Sequence, residues 1–288
     1  MEQKLSSLPV SLFVDSVSAV EVDLVGPPLI TSKSFDLFVR GQFDGRGQHW
    51  DLPYLPEKLV LPDVDSRMLL LALSQFSANS AAYVHYKAGF LQYNITDDMI
   101  PKHSPIRLNT VSLGIFVPEL PGRYPNSPVV LQVSARSAPT VTYQPDSLTV
   151  GGSTLVEAFV LSPQQPPISI FQMQADCLTE IDLLLSEEAA GARISVKNFS
   201  LSLIQSSVGQ VKVENMEKTL GFSLKILLPL VNEHLKNIFP FPANMPRLQN
   251  PVIRVLQGYI VIMTDLHLSQ PPQDQDSPED LRSFYSAL

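Results

Sequence analysis

Ala192-Arg193-Ile194-Ser195-Val196-Lys197-Asn198-Phe199-Ser200-Leu201-Ser202-Leu203-Ile204-Gln205 alternates apolar and polar residues, but it changes phase midway. Ile194 and Val196 hold one parity, while Phe199, Leu201 and Leu203 hold the other. One extra residue near Lys197-Asn198, a β-bulge, puts all five on a single face. Long antiparallel strands with bulges coil, as a sheet must when it wraps a helix. The helix follows soon after. From Asn215 to Ile238, Met216, Leu220, Leu224, Leu227, Leu228, Val231, Leu235 and Ile238 form a stripe at spacings of three and four. Glu217, Lys218, Lys225, Asn232, Glu233 and Lys236 fall on the other side of the stripe. Pro229 has no N–H to donate, so it should kink this helix or end its first half near Leu228.

Working outward, short elements dominate. Early strands are expected at Leu12–Val14, Ala19–Val25 and Ser34–Phe43, the last with Phe35, Leu37 and Val39 alternating against Asp36 and Arg40. From Gly41 to Asp65 the alternation stops, and Pro53, Pro56 and Pro62 space out a stiff linker around Trp50. A buried strand at Met68–Leu73 leads into a helix near Ser74–Lys87, with Gly89 just beyond its end. Further strands are expected at 89–96, 107–117, 129–135, 140–150, 154–161, 168–175, 178–185, 252–256 and 259–268. Gly151-Gly152-Ser153 reads as a hairpin turn. The polar, Pro-rich tail from Ser269 to Leu288 cannot bury enough surface to order itself. The class is therefore α+β: a long twisted antiparallel sheet with one long, kinked helix.

Composition narrows the functions. The 288 residues are 44% apolar and 17% charged, which excludes wholesale disorder. Twenty Lys and Arg against 28 Asp and Glu give a net charge of −8, so bulk charge holds this chain neither to nucleic acid nor to an anionic membrane. Twenty-five prolines against thirteen glycines argue against an all-α bundle. Cys177 is the only cysteine, so neither an internal disulfide nor a cysteine-based zinc site is available. No stretch is long and apolar enough for a transmembrane helix, and the first residues lack the basic and apolar segments of a signal peptide.

Catalytic patterns are missing. His49, His85, His103, His234 and His267 form no H-E-x-x-H pair, so no metal ligand set is visible. Neither a G-x-S-x-G elbow nor a phosphate-binding glycine loop is present. Asp97-Asp98, between a strand and Met99-Ile100-Pro101, reads as a polar turn rather than an acid pair. No cofactor is implied, and the chain is not expected to be an enzyme. Two sequons stand out, Asn94-Ile95-Thr96 and Asn198-Phe199-Ser200. Parity turns both asparagines away from the apolar face, where each can carry a glycan.

The order of motifs is then distinctive. Thr96-Asp97-Asp98-Met99-Ile100-Pro101-Lys102 precedes Gly114-Ile115-Phe116-Val117-Pro118-Glu119-Leu120 and Tyr124-Pro125-Asn126. Leu228-Pro229-Leu230-Val231-Asn232-Glu233-His234-Leu235-Lys236 comes next, followed by Phe239-Pro240-Phe241-Pro242. From about Leu8 to Leu268 this resembles the family of bactericidal/permeability-increasing and lipopolysaccharide-binding proteins, which are built of two barrels joined by a central sheet. The resemblance implies that residues 1–43 are the closing central-sheet strands of an amino-terminal domain. It makes 44–65 the linker, 66–268 the carboxy-terminal barrel and 269–288 a disordered tail.

It also implies a secreted lipid-binding protein of innate immunity, with antimicrobial relatives. Phospholipid or lipopolysaccharide acyl chains would lie in an apolar slot between helix and sheet. The slot residues it suggests are Leu220, Leu224, Leu227, Leu228 and Val231 on the helix, and Phe159, Ile170, Ile194, Phe199 and Leu201 on the sheet, with Leu155 and Val196 beside them. A protein receptor is a further partner the barrel would suit. Two alternatives stay open: an interaction fragment without bound lipid, and a lipid-transfer protein. In the relatives a tyrosine closes the last strand, where Leu268 stands here.

Overall fold

The structure is a computed structural model that describes residues 11–57, 59, 61, 67–102, 104, 106–163, 165–237, 239–241 and 247–267. The tail after 268, Leu268 itself and the first residues lie outside the described residues. Five short strands come first: β1 (Ser11–Phe13), β2 (Ser18–Glu21), β3 (Leu29–Ile30), β4 (Phe35–Asp36) and β5 (Phe43–Gly45). Then follow β6 (Leu69–Ser74), helix α1 (Gln75–Lys87), β7 (Gln92–Ile95) and the short helices α2 (Thr110–Leu113) and α3 (Leu120–Arg123). The long elements are β8 (Val129–Ala135), β9 (Thr140–Gln144), β10 (Ser147–Ser162), β11 (Gln165–Leu185), β12 (Ala189–Ser206) and helix α4 (Val213–Leu235). β13 (Phe239–Pro240), β14 (Arg247–Leu256) and β15 (Tyr259–His267) close the described chain.

The main sheet is antiparallel and seven-stranded, in the order β13-β12-β11-β10-β8-β7, with β9 pairing onto β10. A second sheet, β14-β15-β6, and a third, β1-β2-β5, are separate from it. The expected bulge is where the phase change puts it: Leu178 pairs with Asn198 and Thr179 with Val196, which leaves Lys197 as the extra residue. Directly paired residues share a face. Ile194, Val196, Phe199, Leu201 and Leu203 therefore line up opposite Ile181, Thr179, Cys177, Ala175 and Met173.

Several expectations are corrected by local chemistry. The strand expected at 107–117 is instead a helical turn, because the Asn109 side chain accepts from the Ser112 N–H at 2.8 Å and caps α2. The single strand expected at 140–150 breaks at Pro145-Asp146, where Asp146 turns to a φ of 58° and closes the β9–β10 hairpin. With the turn made there, Gly151-Gly152-Ser153 is no turn. It runs through the middle of β10 opposite Leu178, Cys177 and Asp176. The strands expected at 168–175 and 178–185 are one, β11. The strand expected at Ser34–Phe43 survives only as β4 and the start of β5. β6 is not a buried strand: among the described residues it is the edge of its sheet, paired only with β15, and Leu71 and Leu73 are exposed.

Two cores hold the chain. One gathers Leu113, Phe116, Val117 and Leu120 from the α2–α3 region against Val129, Ala158, Val160, Ile170, Phe171 and Met173 of the sheet, with Met216 of α4. The other joins Tyr143 and Leu148 to Ile260, with Ala78 of α1 and Ile181, Leu183, Ile253 and Val255 packed around them. Asp97-Asp98 is a structural turn, as expected. The Asp97 carboxylate accepts from the Leu108 N–H at 2.7 Å and from the Arg107 guanidinium at 2.6 Å. The Arg107 bond, with the Leu108 bond behind it, holds the Asp97 pKa below the usual carboxylate range.

The early strands are tied to α1 by polar contacts. Asp15 meets His85 Nε2 at 2.8 Å and the Phe43 N–H donates to Ser80 Oγ at 3.0 Å, while within the early segment Arg40 is clamped between Asp23 and Glu21. Burial opposes ionisation of Asp15, but the Val17 N–H and His85 outweigh it and hold the carboxyl far below its ordinary value. A depressed carboxyl contributes its stability above its ordinary pKa and loses it as pH falls through the folded value. Trp50, the only tryptophan, packs against Gly45 of β5 so closely that a Cβ at Gly45 would overlap the indole, which makes it a local reporter. We expect Trp50 fluorescence to stay native until pH drops well below the usual carboxylate range, and Asp15→Asn to loosen this region already at neutral pH. Identical acid titrations of the two proteins would refute the assignment.

Candidate functional site

Helix α4 starts two residues before the expected Asn215, ends at Leu235 and continues through Pro229. Its attachment to the sheet is unusual. β12 pairs with β13 only at Ala189 and Ala190, so among the described residues the rest of its outer edge has no strand partner. Helix side chains take that place. Asn232 accepts from the Ile194 N–H at 2.8 Å and donates to the Ile194 carbonyl at 3.0 Å. Glu217 accepts from the Leu201 N–H at 2.7 Å. The sequence pattern puts Asn232 and Glu217 on the solvent side; both turn instead to the strand, because an open edge offers N–H groups that need an acceptor.

Held by its polar posts, the helix buries only one residue fully, Met216. Leu220 and Leu201 pack on the same core as Met216, so this end of the slot is filled. Further along, Leu224, Leu227 and Leu228 are half-buried and Val231, on the same inward side by helical spacing, is 44% exposed. None of these four belongs to either core. On the sheet below, Ile194, Val196 and Phe199 are likewise half-buried and outside both cores. Gly152 and Cys177 pair in the middle of that face, and a Cβ added at Gly152 would meet nothing within 4 Å. Apolar residues outside both cores thus run in a strip along the inner face of the sheet and along the second half of α4, which meets the sheet at β12. The Cys177 thiol lies among them, its pKa raised by burial.

Three of the sheet residues suggested for the slot or beside it are elsewhere. Phe159 pairs with Ser169 and Val130, on the face opposite Ala158 and Val160, which are fully buried in the core. Leu155 shares the outer parity with it. The two bulky side chains mislead; the inward set is Val156, Ala158 and Val160. Ile170 is fully buried at a second bulge, between Phe171 and Ser169, and belongs to the filled core.

At the far end of α4, by Lys236, lies a cavity of about 440 Å³, lined by Leu183, Leu185, Ala189, Ile253 and Lys236 among others. A larger opening of about 560 Å³ lies by the early strands, but Glu21, Asp23, Arg40 and Asp51 line it and make it unsuited to hydrocarbon. The sequon residues Asn94 and Asn198 are both exposed on the face away from α4. Among the described residues no group of three or more His, Cys, Asp or Glu could hold a metal, and no helix is long and apolar enough to cross a membrane.

Residues 13–268 match the model of the LBP / BPI / CETP family, C-terminal domain. Bactericidal permeability-increasing protein of Sebastes schlegelii is 30% identical over 271 residues, which are 93% of this chain and 57% of that protein. Lipopolysaccharide-binding protein of Bos taurus is 30% identical over 92% of this chain and 56% of its own length. The chain spans about half the length of the curated relatives it matches. Among solved structures, a crystal structure of lipopolysaccharide binding protein superposes with a TM-score of 0.55 at 23% identity, covering 91% of this chain and 57% of that one, which is a likeness of fold.

Gly191 of β12 lets the end of α4 approach, for a Cβ there would overlap the Lys236 carbonyl. Gly191→Ala is therefore expected to cost about 1–3 kcal/mol, as overpacking does, and Asn232→Ala a similar amount by leaving strand groups unpaired. Urea unfolding checks both, and faster hydrogen exchange at the Ile194 amide checks the second. Wild-type midpoints in both variants would contradict the edge contact.

Proposed function

This chain belongs to the LBP/BPI/CETP family, whose bactericidal/permeability-increasing and lipopolysaccharide-binding members are non-catalytic, lipid-binding proteins of innate immunity, and on that premise we propose that it holds the acyl chains of a phospholipid or lipopolysaccharide along the strip under α4. Leu224, Leu227, Leu228 and Val231 form one wall, and Ile194, Val196 and Phe199 the other. Leu220, Leu201 and Ile170 close the end.

The single observation that carries this reading is the uncovered apolar surface between two filled cores, where Val231 is exposed on the inward side of the helix and Gly152 has no neighbour above it. Exposed apolar side chains on a concave face are costly unless something covers them. At about 0.8 kcal/mol per buried methylene, two long acyl chains gain on the order of 20 kcal/mol before ordering costs. A slot of modest length therefore suffices.

The same reading makes residues 1–43 closing strands of a neighbouring domain, 44–65 a linker and 66–268 the lipid-holding unit, although the family match takes in the early strands from residue 13. It makes the protein secreted, with glycans on Asn94 and Asn198 and a protein receptor as a further partner.

Gly152→Leu tests the strip. The added side chain enters open space, so the fold should persist while the slot is plugged. Native mass spectrometry should find phospholipid on the wild type, and the variant should retain at least about tenfold less, with an unfolding midpoint within about 1 kcal/mol of wild type. Equal lipid on both proteins, or none on the wild type after exposure to phospholipid, would overturn the proposal.

A further inference from the structure

The outer side of α4 is not the polar face an amphipathic helix normally shows to water. Phe222, Ile226 and Leu230, spaced four apart, are 62%, 56% and 60% exposed. They form a ridge along the second half of the helix. Lys218, Lys225 and Lys236 follow one flank of it by helical spacing, all exposed. Lys212, Lys218, Lys225 and Lys236 stand against Glu214, Glu217 and Glu233 in this segment, although the whole chain is −8. Glu217 is turned into the strand by its bond to Leu201, and Glu214 and Lys218 neutralise each other, which leaves Lys225 and Lys236 as the open cations of this flank. Only Glu233, near the end of the ridge, adds an open negative charge to this face.

We propose that this ridge docks on a phospholipid surface. Apolar side chains would enter the interface while the lysine stems lie along it and keep their ammonium groups at the phosphates. Charge is the first argument for a lipid surface: an apolar stripe edged by lysines is complementary to an anionic headgroup layer. Continuity is the second. Helical spacing puts Leu227 between Leu230 of the ridge and Val231 of the strip, so apolar surface runs unbroken from the outside of the helix around to the proposed slot. An acyl chain leaving a bilayer could follow that path without crossing polar ground. This second argument rests on the slot reading; the docking itself does not require it.

The test uses the full chain and two readouts. Co-sedimentation is measured with phosphatidylcholine vesicles, with and without phosphatidylglycerol, and uptake is measured with a monomeric short-chain phospholipid. Phe222→Ser, Ile226→Ser and Leu230→Ser together alter only exposed positions. The triple variant should lose vesicle binding by at least about tenfold and keep monomer uptake. Lys225→Glu should weaken binding by about fivefold on vesicles containing phosphatidylglycerol and leave binding to phosphatidylcholine alone unchanged. If neither protein takes up monomeric lipid but the triple variant still loses vesicle binding, docking stands and the slot reading fails. Vesicle binding that survives the triple substitution, or is absent in the wild type, overturns docking. So does a wild-type dimer that the triple substitution dissociates without any vesicle binding, since the ridge would then receive a second copy.

Discussion

The outer edge of β12 is the constraint on which the rest depends. A strand edge carries N–H and C=O groups that must be satisfied or left to water, and an open edge invites other chains to pair. Here helix side chains, not a strand, satisfy it at Ile194 and Leu201. The Asn232 carboxamide gives Ile194 one acceptor and one donor, as a neighbouring strand residue would, and Glu217 does half of that for Leu201. These bonds fix both the position of α4 along β12 and its rotation.

A helix positioned by polar side chains need not press its apolar stripe onto the sheet. At the amino-terminal end it does so, because Met216 and Leu220 reach the core built by Phe116, Leu120 and Phe171. Beyond Leu220 the second core lies at another part of the sheet, around Tyr143, Leu148 and Ile260. The stripe between is left with apolar side chains and little protein to cover them. Pro229 sits in this same half of the helix, where its missing N–H leaves the Lys225 carbonyl without its usual partner. Gly191 lets the chain just past α4 pass close against β12, so the helix is tied to that strand near both of its ends.

Much of this is legible in the residues. The parity change across Lys197-Asn198 predicts the bulge, since a strand that keeps its apolar side chains on one face shifts parity only by taking in an extra residue. The 3–4 stripe locates the long helix, with Ser74 and Gly89 bounding the earlier one. What periodicity misses has specific causes. Gly151-Gly152 looks like a turn because glycine pairs usually are, and only strand pairing on β10 keeps it extended. Phe159 outweighs Ala158 on any hydrophobicity scale, yet the small residue faces the core. Asn232 and Glu217 look like solvent residues on a helical wheel, because their partner is the edge of a strand many residues earlier. Asn109 is a cap residue by type, but the apolar Val111 and Leu113 that follow it mimic the alternation of a strand.

Cys177 lies on the floor of the strip and is the chain's only thiol, so its reactivity reports directly on the space above it. The decisive measurement is its alkylation rate by a small apolar maleimide, in lipid-stripped protein and after incubation with phospholipid. The account predicts reaction in the stripped protein under native conditions and slowing of at least about tenfold when lipid fills the strip and excludes the reagent. A thiol that reacts only on unfolding, or at the same rate with and without lipid, would contradict it.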